Sequence, residues 1–141
     1  MTGDATIASG GNEYLFAFAV QEQASGADAG TLSYRAQAGA GRDRTVDHFE
    51  STAITNVDFF DVAGVSPGRR PPSGVDVVSF GGLGRWNDRS GYTFDAVATD
   101  AGEPGSGRDR FTLTVRDSGG QAVAAVDAVI TTGNIQSLRI N

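Results

Sequence analysis

Residues 75–140 read VDVVSFGGLGRWNDRSGYTFDAVATDAGEPGSGRDRFTLTVRDSGGQAVAAVDAVITTGNIQSLRI. Apolar side chains recur at every second position in short runs, at 75–80, 92–99, 111–116, 121–129 and 135–140, and Gly, Asp, Asn or Pro separates each run from the next. Tyr92, Phe94, Ala96 and Ala98 fall on one face of their run, and Phe111, Leu113 and Val115 on one face of theirs, with arginine and threonines opposite. A period of two with turn residues between the runs indicates antiparallel strands with one buried face. The expected fold is therefore all-β: an antiparallel β-sandwich of about eight to ten strands with Greek-key or jelly-roll wiring. Only residues 121–130 allow a competing reading, because Val123, Val126 and Val129 recur every three residues. The hairpin-type loop Asp117-Ser118-Gly119-Gly120 before them places strand ahead of helix.

The first half continues the pattern. At 13–23, Tyr14, Phe16, Phe18 and Val20 share one face and Leu15, Ala17 and Ala19 the other. Further strands are expected at 31–38, 45–51 and 53–62, with loops at 25–30 and 39–44. In the 53–62 run the two sides conflict, and a bulge near Asp58 would reconcile them. The proline-rich stretch 66–74 cannot enter a central strand and reads as an exposed crossing loop. Expected core residues are Phe16, Phe18, Leu32, Phe60, Val78, Phe80, Tyr92, Phe94, Phe111, Leu113, Val115 and Ile135. Residues 1–141 form one domain, and 1–12 are expected as a loose N-terminal segment.

Composition narrows the functions. The chain has 141 residues, 39% apolar and 20% charged, which suits a globular domain with its own core. A net charge of −6 argues against nucleic acid and anionic lipid as partners. The absence of cysteine excludes a disulfide framework, a thiolate metal site and a cysteine nucleophile. All eleven basic residues are arginine, a usage that a GC-rich genome explains. No window reaches the ~18–20 apolar residues of a membrane-spanning helix, so no membrane insertion is expected. Nothing near Met1 combines a basic start with an apolar run as a signal peptide does, and the opening Met1-Thr2-Gly3-Asp4 reads as the start of an excised module, which leaves secretion of a parent protein open.

Three groups of residues offer chemistry. Asp100, Glu103, Asp109 and Asp117 flank one hairpin; hard Ca²⁺ takes six to eight oxygens, which loops at one end of a sandwich supply, so these four are the candidate metal ligands. The same residue types also form turns through their own side chains. Trp86 and Tyr92 are the candidate ligand-binding pair, since an aromatic face holds the apolar face of a sugar ring; alternatively both belong to the core. His48 is the single histidine, but no Gly-x-Ser-x-Gly elbow presents a serine to it. The chain therefore reads as a scaffold and not as an enzyme.

Phe80, Gly82, Gly84, Asn87, Gly91-Tyr92, Phe94, Asp100, Asp109, Phe111, Val115, Asp117 and Gly133-Asn134-Ile135-Gln136 together form a pattern of turn glycines and alternating apolars. This pattern, across residues 80–136, resembles the post-COAP-1 type of module found in large bacterial extracellular and surface proteins. The resemblance implies a β-sandwich in a secreted or cell-surface setting, and it transfers no catalytic residue. The function expected is a non-catalytic structural or adhesion-type module whose partner is a protein or glycan at the cell surface. The alternatives are a carbohydrate-binding module with a structural calcium and a subunit that self-associates by exchanging a strand.

Overall fold

A computed structural model describes residues 1–22, 28–39, 42, 44–60 and 76–137. They form nine strands and, among the described residues, no α-helix: β1 Thr2–Ser9, β2 Asn12–Glu22, β3 Asp28–Ala38, β4 Thr45–Phe60, β5 Val77–Trp86, β6 Arg89–Thr99, β7 Arg110–Arg116, β8 Ala122–Val129 and β9 Thr132–Gln136. None of the described residues lies in a helix long and apolar enough to cross a membrane. The antiparallel all-β class holds, and residues 122–129 are strand. All nine strands belong to one sheet in the order β8-β7-β6-β5-β4-β3-β2-β1-β9, curled into a half-barrel. The expected two-sheet sandwich is not confirmed, and consecutive strands pair as an up-and-down meander where Greek-key or jelly-roll crossings were expected.

The curl follows from the apolar faces. Six of the eight phenylalanines point inward and are buried: Phe16, Phe18, Phe49, Phe80, Phe94 and Phe111. Phe16 of β2 stacks on Phe111 of β7 with ring centroids 3.8 Å apart and planes at 11°. These strands lie five places apart in the sheet, so their rings meet only because the sheet bends round until its two halves face each other. Phe80 and Phe94 pack edge to face at 5.9 Å, and Phe18 reaches Phe80 at 5.2 Å. Burying one such ring contributes roughly 2–3 kcal/mol. A single sheet thus supplies the two facing layers that a sandwich obtains from two.

Closure depends on β8 and β9. Every pairing from β1 through β8 is antiparallel, and β9 is antiparallel to β1, so β8 and β9 run the same way with only Ile130 and Thr131 between them. Ile130 still bonds on the β7 side: its N–H donates to Asp109 O (2.9 Å), and its carbonyl accepts from Gly107 N–H (2.9 Å). Thr131 N–H then donates to Thr6 O of β1 (2.8 Å). One run of chain therefore hands over from β7 to β1 and ties the two edges of the sheet together.

Several sequence expectations change in this setting. Residues 1–12 are not loose. They make β1, paired on both sides, and the start of β2, with Met1 buried and its amino group donating to Val20 O. The N-terminal strand is thus held inside its own sheet, between β2 and β9. The strands expected at 45–51 and 53–62 are one long β4, with register shifts between Ser51 and Ala53 and between Ile54 and Asn56, upstream of the bulge expected near Asp58. The first shift brings Ile54 to the inward face and the second restores the face of Phe49, so Val57 and Phe59 point to the core and Phe60, expected inside with Ile54, is 43% exposed. Asp28, Ala29 and Gly30, expected in a loop, begin β3, where Asp28 Oδ2 accepts Val57 N–H (2.9 Å) and replaces a ladder bond as β4 leaves its neighbour. The 66–74 loop lies outside the described residues.

The glycine run in β5 has a packing cause. A Cβ on Gly82 would lie 1.9 Å from Ala53 O and 2.9 Å from its carbonyl carbon, both rigid backbone of the bulged β4. Gly82→Ala should therefore destabilise the fold by about 1–3 kcal/mol, as overpacking does. A urea titration checks this through a lower midpoint at unchanged slope.

Candidate functional site

In the up-and-down order the β1–β2, β3–β4, β5–β6 and β7–β8 turns share one end of the half-barrel, and the β6–β7 loop and Met1 lie at the other. This division separates the four expected metal ligands. Asp100, Glu103 and Asp109 belong to the β6–β7 loop, whereas Asp117 shapes the β7–β8 turn at the opposite end, its Oδ1 accepting from Gly119 N–H and Gln121 N–H at 3.0 Å each. The four do not converge on one point. Among the described residues no group of three or more His, Cys, Asp or Glu side chains is placed to hold a metal ion.

Asp100 and Asp109 are fully buried, and each accepts backbone N–H groups. Asp109 Oδ1 accepts Ala101 N–H (2.8 Å) and its Oδ2 accepts Ile135 N–H of β9 (2.8 Å). Asp100 Oδ2 accepts Ser137 N–H just past β9 (2.7 Å). Glu103 is exposed and accepts from Asn134 Nδ2 (3.1 Å). Burial pushes the Asp109 carboxyl up from its ordinary value, against the Ile135 and Ala101 N–H donors, which pull it down. These acids act as staples that hold the β6–β7 loop to β9 beside the handover. Gly133 belongs to the same joint: its φ is +96°, and a Cβ there would lie 2.3 Å from Asp4 O.

The other end is open. A cleft of about 260 Å³ is lined by Asn12 and Tyr14 of β2, Tyr34 and Ala36 of β3, Asp47 of β4, Trp86 of β5 and Ala124 of β8, among others. Strand register explains the shape. Tyr14, Ala36 and Asp47 lie directly opposite one another across β2, β3 and β4, so the small Ala36 leaves a gap between a phenol and a carboxylate. In the next row inward Phe16, Tyr34, Phe49 and Trp86 are in register across β2 to β5. The Tyr14 and Tyr34 rings are nearly parallel, at 11°, with centroids 6.5 Å apart. Asp47 Oδ1 accepts from Asn87 Nδ2 (2.9 Å), which ties the carboxylate to the Asn87-Asp88 turn, where both residues have positive φ. Burial, then the neighbouring Tyr14 and Asp47, push the Tyr34 phenol up to about 12.

Of the two expected ligand-binding aromatics, Trp86 lines this cleft, and Tyr92 is partly buried against the core cluster without lining it. Tyr14, Tyr34 and Asp47 were not among the site residues expected from the sequence. Alternation places Tyr14 and Tyr34 inward, but which inward residues cap an open end depends on register. The signal that was present is Asp47, a charge on the same face of β4 as the fully buried Phe49. His48 points the other way, with its Nε2 3.2 Å from Oδ1 of the 90% exposed Asp88. A solvated pair of this kind is worth little. Arg35, His48, Glu50 and Asp4 border a groove of about 450 Å³ near the outer face of β1 to β4.

Comparison with known family models, with curated proteins and with solved structures yields no match.

Asp109→Asn should destabilise the fold by about 2–3 kcal/mol, because the amide NH₂ must face one of two buried backbone N–H donors; thermal melting at neutral pH checks it. Tyr34 sets an alkaline dependence. Its folded pKa of about 12 lies above the unfolded value of 10.0, so the native state holds this proton more tightly. The stability associated with that proton is complete below pH 10 and is lost as pH rises from 10 toward 12. Unfolding free energy measured across this window should fall in the parent protein and fall less steeply in Tyr34→Phe.

Proposed function

We propose that this chain is a non-catalytic, adhesion-type or structural module of a bacterial surface or secreted protein. The observation that carries the reading is the use made of the buried acids. Asp100 and Asp109 accept backbone N–H groups that hold the sheet edges together. Side chains that would otherwise be candidates for chemistry thus serve a shape. The up-and-down half-barrel presents one stapled end and one end walled by aromatic and polar groups, an arrangement suited to display and contact. The resemblance of residues 80–136 to post-COAP-1 modules, sandwich architecture included, belongs to the same proposal and gives it a cell-exterior setting. An acidic, lysine-free surface is compatible with solubility outside the cell.

Antibodies raised against the domain test the setting. They should label intact, unpermeabilised cells of the source bacterium or detect the protein in its culture medium. Labelling that requires lysis would reject it.

A further inference from the structure

We propose that the cleft at the open end binds a single neutral sugar residue, held by the Trp86 and Tyr14 rings, the Tyr34 hydroxyl and the Asp47 carboxylate. This rests on the adhesion-type reading and gives it a ligand class.

Between the buried acids of the stapled end and the row that contains Asp47, the inward residues of β2 to β4 are the aromatic and aliphatic Phe16, Phe18, Leu32, Tyr34 and Phe49. An inward carboxylate at a barrel mouth is costly unless something pairs with it. Asn87 Nδ2 engages Oδ1, which leaves Oδ2 to accept from a ligand hydroxyl. The Tyr14 and Tyr34 hydroxyls and the Asn12 amide stand on the same wall and add donors and acceptors. Several dispersed hydrogen-bonding groups beside aromatic faces match a polyol ring, which has hydroxyls round its rim and C–H groups on its face. A quaternary ammonium group would call for aromatic faces enclosing one point of charge. Here the two tyrosine rings stack nearly parallel with centroids 6.5 Å apart, which leaves no room for an ammonium group between them.

Size agrees with this occupant. Drug-sized ligands fill clefts of about 300–1,000 Å³, and this one holds about 260 Å³, room for one ring or the end of a chain. Ala36 and Ala124 keep the floor and the β8 side clear, since a larger residue at either place would fill the gap.

Trp86 is the only tryptophan, so its fluorescence reports the cleft directly. The full chain is titrated with glucose, galactose, mannose, N-acetylglucosamine and their disaccharides, and separately with choline. The expected result is a saturable change with at least one sugar and none with choline. Asp47→Asn keeps one oxygen for Asn87 and should weaken binding about tenfold, as loss of one charge-assisted hydrogen bond does. Ala36→Leu should abolish binding, and Tyr34→Phe, which keeps the ring, should weaken it. Each variant is first shown to melt cooperatively; if Ala36→Leu does not fold, the other two decide. No response to any sugar, a response that all folded variants retain, or a response to choline alone would overturn the proposal. The two readings fail separately: surface labelling without sugar binding rejects the ligand alone, and sugar binding without surface labelling rejects the setting alone.

Discussion

The carboxylate of Asp109, buried and bonded to backbone N–H groups of both its own loop and β9, is the interaction on which the rest of this fold depends. A sheet that curls round its own core ends in two edges, and an edge is a row of unpaired N–H and C=O groups. Here the edges are successive parts of one run of chain, Ala122 to Gln136, joined through Ile130 and Thr131. That run must leave β7 and join β1 at a defined point. Asp109 marks the point, since its backbone carbonyl holds Ile130 and its side chain holds Ile135. Asp100 repeats the device one step farther along, at Ser137.

Burying two carboxylates carries a desolvation cost, and burial does push Asp109 toward its neutral form. The cost is tolerated because each oxygen of Asp109 faces a backbone donor that would otherwise be stranded beside the core. The Phe16–Phe111 stack depends on the same joint. It brings together rings from strands that are far apart in the sheet, and it holds only while the curl is held. With one end stapled, the other is free to remain open, and its small inward residues, Ala36 and Ala124, leave space where larger ones would fill it.

Much of this was legible in the alternation of residues. Phe16, Phe18, Leu32, Val78, Phe80, Phe94, Phe111, Leu113, Val115 and Ile135 lie buried as their positions in the strands indicate. Phe60 does not, because the second register shift in β4 puts it on the opposite face from Ile54, and backbone irregularities of that kind leave little trace in a pattern of period two. That Gly82 meets the Ala53 carbonyl likewise follows from these shifts. Asp100 and Asp109 stood out as acids in a loop, and a loop with oxygen donors suggests a cation. Their backbone partners, Ile135 and Ser137, are more than twenty residues away and invisible as donors in a sequence, because every non-proline residue carries the same N–H. At the open end Trp86 was named, but its companions Tyr14, Tyr34 and Asp47 were not, since only register sets them side by side.

Side-chain alternation is a local property, read along a single strand, and it was enough to determine that the chain is antiparallel β, where most strands fall and which faces are buried. Whether those faces meet as two sheets or as one curled sheet is a non-local matter. It was decided by where β9 pairs, by the shifts in β4 and by which N–H groups the buried carboxylates take. Those choices hang on the packing of distant strands against each other, and no spacing within one strand encodes them.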